Sequence, residues 1–193
     1  RCRTCCWSTL FTAGENNNNM TDISQRKADH IQLALQGQHQ SATSAGVDGI
    51  RFEHNCLPEL QLADVDCSTV FLDYYCSTPI IIGAMTGGCE HGETINRHLA
   101  EAAEALNIPM ALGSQRAALM DGSAQNVRHW APKALLLGNI GGTQLQQQGV
   151  DLAKQAVDSV QANAIIIHLN PLQELVQPNG DRDWRGVLNA IEQ

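Results

Sequence analysis

Residues 164–174 read AIIIHLNPLQE. Ala164–Ile167 is a short apolar run rich in β-branched residues, the composition of a strand buried on both faces. The run then turns polar: His168, Asn170, Gln173 and Glu174 follow. Polar groups at the C-terminal end of a parallel strand point into the crevice where α/β proteins bind ligands. The stretch therefore reads as a strand, a rim of neutral donors and acceptors, and one carboxylate.

The same rhythm runs backwards to Thr78. Pro79–Gly83 (PIIIG), Pro109–Leu112 and Ala134–Leu137 are further strands. Each gives way to glycine and polar or ring-binding residues: Ala84, Met85 and Thr86 before Gly87 and Gly88; Ser114, Gln115 and Arg116 after Gly113; Asn139 between Gly138 and Gly141. A helix over 94–106 places Ile95, Leu99, Ala102, Ala103 and Leu106 on one face. A second helix buries Ala153, Ala156, Val157 and Val160. A turn at Pro178-Asn179-Gly180 precedes a third, with Trp184, Val187, Leu188 and Ile191 on one face.

Strand–helix alternation suits a (β/α)₈ barrel or a doubly wound sheet. No GxGxxG opens the first helix and no GxxxxGK[ST] occurs, so both common nucleotide fingerprints are absent. That favours the barrel. A whole barrel takes about 250 residues, so a chain of 193 residues with four units is expected to be an α/β TIM barrel truncated to roughly its first four βα units. Residues 78–193 are that half-barrel. Residues 20–77 are an N-terminal arm and pre-barrel segment, in which Leu57, Leu60, Leu62 and Val65 are expected to pack. Residues 1–19, aperiodic and ending in an Asn run, read as a disordered or artefactual leader before Met20.

Composition narrows the partners. The net charge of −8 argues against general nucleic-acid or anionic-membrane binding, which needs basic surface. No apolar run reaches the roughly 18–20 residues of a membrane span. Of seven cysteines, Cys2, Cys5 and Cys6 fall in the first six residues, and the other four, Cys56, Cys67, Cys76 and Cys89, show neither zinc spacing nor the density of a disulfide scaffold and read as reduced thiols of a cytoplasmic protein. A zinc site is the sharper alternative.

The strand ends converge on one candidate site. Ala84, Met85 and Thr86 offer backbone amides, a soft apolar surface and a hydroxyl to a flat heteroaromatic ring. Arg116 offers a guanidinium that matches phosphate oxygens bidentately. Ser114, Asn139, His168, Asn170 and Gln173 add neutral donors and acceptors. Glu174 is a single carboxylate beside a phosphate site, the setting Mg²⁺ prefers. Arg26 and Lys27, on an amphipathic stretch over 22–35, are either a solvated helix end or an arm bringing two cations to an anionic ligand. Each residue has a plainer reading. Ser and Thr hydroxyls often satisfy local backbone, His168 alone suits a hydrogen-bonded structural histidine, Met85 suits a core, and Glu174 suits the first turn of a helix. Their joint placement at consecutive strand ends is what favours a site.

RKADH at 26–30, FEHNCLPEL at 52–60, AMTGG at 84–88, ALGSQRAAL at 111–119, GNIGG at 138–142 and HLNPLQELVQPNGDRDW at 168–184 together resemble type 2 isopentenyl-diphosphate delta-isomerase, the flavin-dependent isomerase of isoprenoid biosynthesis. The resemblance is collinear from about Gln25 to Gln193 and covers the family's N-terminal half. It implies a TIM-barrel flavoprotein that interconverts isopentenyl and dimethylallyl diphosphate with reduced FMN, Mg²⁺ and NAD(P)H as reductant, as a homo-oligomer. It implies catalytic or substrate-pocket roles for His168 and Gln173. It implies substrate binding by Arg26, Lys27, Ser114, Gln115, Arg116 and Asn170, flavin contacts from Ala84, Met85, Thr86, Ser114 and Asn139, and a metal ligand in Glu174. Strands five to eight would be missing, so the fragment is expected to be inactive alone and to self-associate through open edges. An FMN-dependent oxidoreductase on the same barrel, or a non-catalytic binding fragment, are the alternatives.

Overall fold

Parallel strands frame the computed structural model, which describes residues 43–84, 92–123, 126–177 and 180–193 together with Gln32, Leu35 and Gln36. In chain order, β1 (Thr69–Phe71) and β2 (Tyr74–Cys76) form an antiparallel hairpin. Its two turn residues, Leu72 and Asp73, have φ of 49° and 63°, the positive pair that matches the twist of hairpin strands. Helix α1 (Gly92–Leu106) leads to β3 (Met110–Ala111), then α2 (Arg116–Asp121) and α3 (Val127–Trp130). Strand β4 (Leu136–Gly141) precedes α4 (Gly142–Gln148) and α5 (Val150–Val160). Strand β5 (Ala164–His168) precedes α6 (Pro171–Val176) and α7 (Val187–Ile191).

Strands β3, β4 and β5 pair in that order, all parallel. Alternate residues of a strand face opposite sides. Leu136 and Ile140 therefore turn to the helices. Leu136 packs with Met110, Leu112, Ala100, Ala103, Val127 and Val160. Ile140 packs with Leu145, Leu152 and Ala156, joined by Ile165 and Ile167 of β5. The other face carries Ala111, Leu135 and Leu137, with Ala164 and Ile166 against them. Both faces are apolar, as the run AIIIH requires.

The expected barrel is corrected here. The described residues form an open three-stranded parallel sheet and a separate hairpin, not a TIM barrel. A barrel closes only when every strand pairs on both sides, and β5 pairs with β4 alone. The predicted first strand, Pro79–Gly83, contributes a single bridging residue: Ile82 donates to Pro109 O at 2.9 Å and accepts from Ala111 N at 2.9 Å. Pro79, which has no N–H, and the exposed Ile80 and Ile81 add nothing to the sheet.

Smaller differences have local causes. Two helices, α4 and α5, stand where one was expected, because Gly149 (φ 76°, ψ −177°) breaks the chain between them. The last helix starts at Val187, past Trp184, and of its expected face Leu188 is 67% exposed. Leu57, Leu60, Leu62 and Val65 are exposed rather than packed. Among the described residues no helix is long and apolar enough to cross a membrane.

Arg128, in α3, ties the N-terminal end of the sheet together. Nε and Nη2 donate to Gln161 O at 3.2 and 2.8 Å, and Nη1 donates to Ala131 O and Ala134 O at 2.9 Å each. Nη2 also donates to Asn163 Oδ1 at 2.8 Å. The same Asn163 oxygen accepts from Leu136 N at 3.0 Å, and its amide donates to Tyr74 Oη at 2.6 Å. One guanidinium therefore caps the end of α5, the entry to β4 and, through Asn163, the hairpin. Burial lowers its pKa from the usual guanidinium value, with the opposing pull of Tyr74 and Glu104 smaller. Arg128→Ala should cost about 1–2 kcal/mol of stability, since the Ala131 and Ala134 carbonyls are part-buried while the Gln161 and Asn163 acceptors can turn to water. Arg128→Lys should recover only a small part, because an ammonium cannot span the same acceptors. Urea unfolding of the three proteins checks both.

Candidate functional site

The C-terminal ends of β3, β4 and β5 lie side by side, and the residues that follow them carry the polar side chains. At β4 the Asn139 side chain is 4% exposed, and its Oδ1 lies 2.7 Å from His168 Nδ1. Register explains the meeting. Asn139 pairs with Ile166 and Gly141 with His168, so Asn139 and His168 share the face of Leu137 and are diagonal neighbours. With the Asn139 oxygen turned to the ring, Nδ1 carries the hydrogen and Nε2 is the basic nitrogen of the neutral tautomer.

Gln115 takes a different part from the one its sequence position suggested. It is fully buried. Its Nε2 donates to Ala156 O at 2.8 Å and Ser159 Oγ at 3.1 Å, and its Oε1 accepts from Asn139 N at 2.8 Å. Its own N–H donates to Asn139 O at 2.9 Å. Gln115 thus bolts the end of β3 to β4 and α5, with its amide turned away from the rim. A Cβ at Gly138 would stand 2.8 Å from Gln115 Oε1, so the glycine before Asn139 makes room for that amide. Ser114, next to it, is half-buried at the rim.

Arg116 opens α2 and reaches Asp181: Nη1 donates to Asp181 Oδ2 at 3.1 Å. Among the described residues Nε and Nη2 make no hydrogen bond. Gln144 Nε2 donates to the same Asp181 oxygen at 2.9 Å. On the β5 side, Pro171 starts α6 with the fixed φ that suits a first helical position. Asn170 Nδ2, just before it, donates to Glu174 Oε1 at 3.1 Å and, more weakly, to Gln173 Oε1 at 3.5 Å. Asp181 N donates to Glu174 Oε2 at 2.8 Å. Each oxygen of Glu174 thus takes one neutral donor, and among the described residues no cation pairs with it.

The structure therefore joins Asn139 to His168, and joins Arg116, Asn170, Gln173 and Glu174 through Asp181. Ala84 is exposed beyond the Ile82 bridge. Arg26, Lys27, Met85 and Thr86 lie outside the described residues. A cavity of about 60 Å³ lined by Arg116, Leu119, Ile140 and Leu152 sits on the helix side of Arg116. A larger cavity, about 250 Å³, lies between the hairpin and residues 80–81, and neither cavity is lined by Asn139, His168 or Glu174. Asp181 and Gln144 were missed in the sequence. Asp181 lies beyond a Pro-Asn-Gly turn, where an acid normally reads as solvated loop. Gln144 lies in the helix that the glycine break concealed.

No family model matches the chain. The isopentenyl-diphosphate delta-isomerase of Cronobacter sakazakii is 48% identical over 177 residues, covering 89% of this chain and 51% of the relative. The enzyme of the same name from Xanthobacter autotrophicus is 49% identical over 173 residues, covering 86% of the chain and 50% of the relative. That of a Nostoc species is 40% identical over 173 residues, 87% of the chain and 49% of the relative. The chain spans about half the length of the curated relatives it matches. Those relatives are isomerases by name, and the names specify neither a type nor a flavin. The resemblance to type 2 is corrected accordingly: what the similarity supports is isopentenyl-diphosphate delta-isomerase, without the type.

Two local tests follow. A Cβ at Gly180 would overlap the backbone carbonyl of Glu174, so only glycine lets this loop fold onto α6. Gly180→Ala should push Asp181 N off Glu174, seen as the loss of amide-exchange protection at Asp181 with the sheet amides unchanged. Two residues beyond Asp181, Asp183 is held down to about 2 by side-chain and backbone hydrogen bonds from Arg185. A lowered folded pKa stabilises above the unfolded value near 3.8 and is lost as pH falls through about 2. An NMR titration of Asp183 should find that midpoint, and Arg185→Gln should raise it only part of the way to the ordinary carboxylate value, because the backbone N–H of residue 185 still donates to Asp183.

Proposed function

We propose that this chain supplies part of the active site of an isopentenyl-diphosphate delta-isomerase, which shifts a carbon–carbon double bond in a small diphosphate ester. The observation that carries this reading is the shared rim. Arg116, which opens the helix after β3, and Glu174, from the helix after β5, meet at Asp181. A guanidinium with two nitrogens that make no hydrogen bond among the described residues, and a carboxylate that no described cation pairs with, are what a diphosphate and a divalent metal need together. The similarity to enzymes of that name supports the same conclusion.

A hard cation fits Glu174. Among the described residues no group of three His, Cys, Asp or Glu side chains gathers, so protein ligands alone would not close a shell. Mg²⁺ commonly takes one or two carboxylates and completes its octahedron with phosphate oxygens and waters. Arg116, with Arg26 and Lys27, would take the remaining phosphate charge. Asn170 holds Glu174 in place. Gln173, exposed beside it, and His168, held by Asn139, would face the hydrocarbon part of the substrate as hydrogen-bonding groups.

Moving the double bond requires a proton added at one carbon and removed at another. Imidazole and amide side chains are weak acids toward carbon, so a cofactor that carries the proton is part of this reading. The proposed cofactor is FMN, reduced by NAD(P)H, which would supply proton transfer at a ring nitrogen or carbon without net redox change. Ala84, Ser114 and Asn139, with Met85 and Thr86, would hold its ring, on the sheet face that carries Leu137 and Ile166.

The test uses the whole protein with reduced FMN, Mg²⁺ and isopentenyl diphosphate, followed by proton NMR. Dimethylallyl diphosphate should form without stoichiometric consumption of NAD(P)H. Glu174→Gln and Arg116→Gln should each lower kcat/KM by at least about a hundredfold, the scale for losing a charged contact to a phosphate or metal. Full turnover in Glu174→Gln, or turnover that consumes one reductant per product, would sink the reading.

A further inference from the structure

Asp181 has no part in the reaction just described, yet the two charged groups of the rim meet on it. Its Oδ2 accepts from Arg116 Nη1 at 3.1 Å and Gln144 Nε2 at 2.9 Å. Its N–H donates to Glu174 Oε2 at 2.8 Å, and its carbonyl accepts from Trp184 Nε1 at 3.1 Å. These contacts reach α2, α4, α6 and the loop before α7. An ordinary surface ion pair contributes about 0–1 kcal/mol, because two long side chains must be ordered to form it. Here the carboxylate is already fixed by Gln144 and by its own backbone. Its side chain is 20% exposed against 40% for Arg116. The arrangement orders the arginine more than it stabilises the fold.

The position of the loop is equally specified. Gly180 lets the backbone lie against the Glu174 carbonyl. The N–H of Asp181 then meets one Glu174 oxygen while Asn170 takes the other. Rotation of either the guanidinium or the carboxylate would therefore break a bond to the same residue.

We propose that Asp181 is a positioning residue that couples the Arg116 guanidinium to the Glu174 carboxylate, so that anionic oxygens and a divalent cation bind as one unit. This rests on the reading of Arg116 and Glu174 as the diphosphate and metal groups. Asp181 touches neither ligand. Its charge adds to the negative potential that attracts the cation, and its geometry leaves Nε and Nη2 of Arg116 for phosphate.

The experiment uses the whole protein, with Mn²⁺ as an EPR-visible probe and inorganic diphosphate as the anion. In the wild type, Mn²⁺ should tighten diphosphate binding, and diphosphate should tighten Mn²⁺ binding by the same factor. Asp181→Asn should weaken Mn²⁺ binding about tenfold, the usual effect of removing a group that orients a ligand, and should abolish the mutual tightening. Asp181→Glu, which keeps the charge, should restore part of it. A residue that only held the loop together would change the thermal midpoint and leave the tightening in place; that result in Asp181→Asn overturns the proposal. Glu174→Gln separates the two readings. Wild-type Mn²⁺ affinity in that variant removes the metal site itself, whereas loss there with wild-type behaviour in Asp181→Asn removes only the coupling role. Should Asp181→Asn fail to fold, Gln144→Met carries the test. A severalfold loss of mutual tightening supports the proposal, and unchanged tightening overturns it.

Discussion

The buried amide of Gln115 sets the geometry on which the rim depends. Its three hydrogen bonds go to the β4 backbone and to α5, and each would be an unsatisfied polar group if broken in that interior. The residues on either side of it, Ser114 and Arg116, therefore leave β3 in fixed directions. Asn139, whose N–H and C=O are both taken by Gln115, is fixed by the same contacts. The glycine at 138 is the steric condition for this arrangement. A polar residue inside the core is expensive unless every atom is paired, and here pairing is what makes the strand ends rigid.

Rigidity at the strand ends contrasts with the way the charged groups are held. Arg116 and Glu174 come from the first turns of short helices, and neither is buried. Their relation is set by the loop that brings in Asp181, itself packed onto α6 only because position 180 has no side chain. The neutral pair, Asn139 with His168, is thus part of the sheet, while the charged set is assembled across elements far apart in sequence. A rim built this way combines a fixed surface with groups that answer to one another through hydrogen bonds.

The sequence made the parallel sheet legible at β4 and β5, because apolar runs ending in Gly or His with polar followers have few other uses in an α/β chain. It also made Glu174, Asn170 and Arg116 legible as neighbours, since consecutive parallel strand ends fall side by side. Other features were hidden for physical reasons. PIIIG looks like AIIIH, yet Pro79 cannot donate and Ile80 and Ile81 find no partners among the described residues. Gln115 and Ser114 look equally polar, and only the three-dimensional path shows that one amide turns into the core. Asp181 depends on a loop folding back over a helix, which no periodicity records. The leucines of 57–62 are apolar, but composition cannot say whether a surface exists to receive them.

Arg128 and Asp181 stand at opposite ends of the same sheet, and that separation divides the motions of the molecule. The Arg128 network joins carbonyls at the end of α3, before β4 and at the end of α5, so it spans segments that the sheet already holds together. Opening the Asp181 contacts needs only the short loop after α6 to lift, leaving β4 and β5 paired. Order at the rim and persistence of the fold thus rest on different sets of hydrogen bonds, and a substitution in one set can leave the other nearly unchanged.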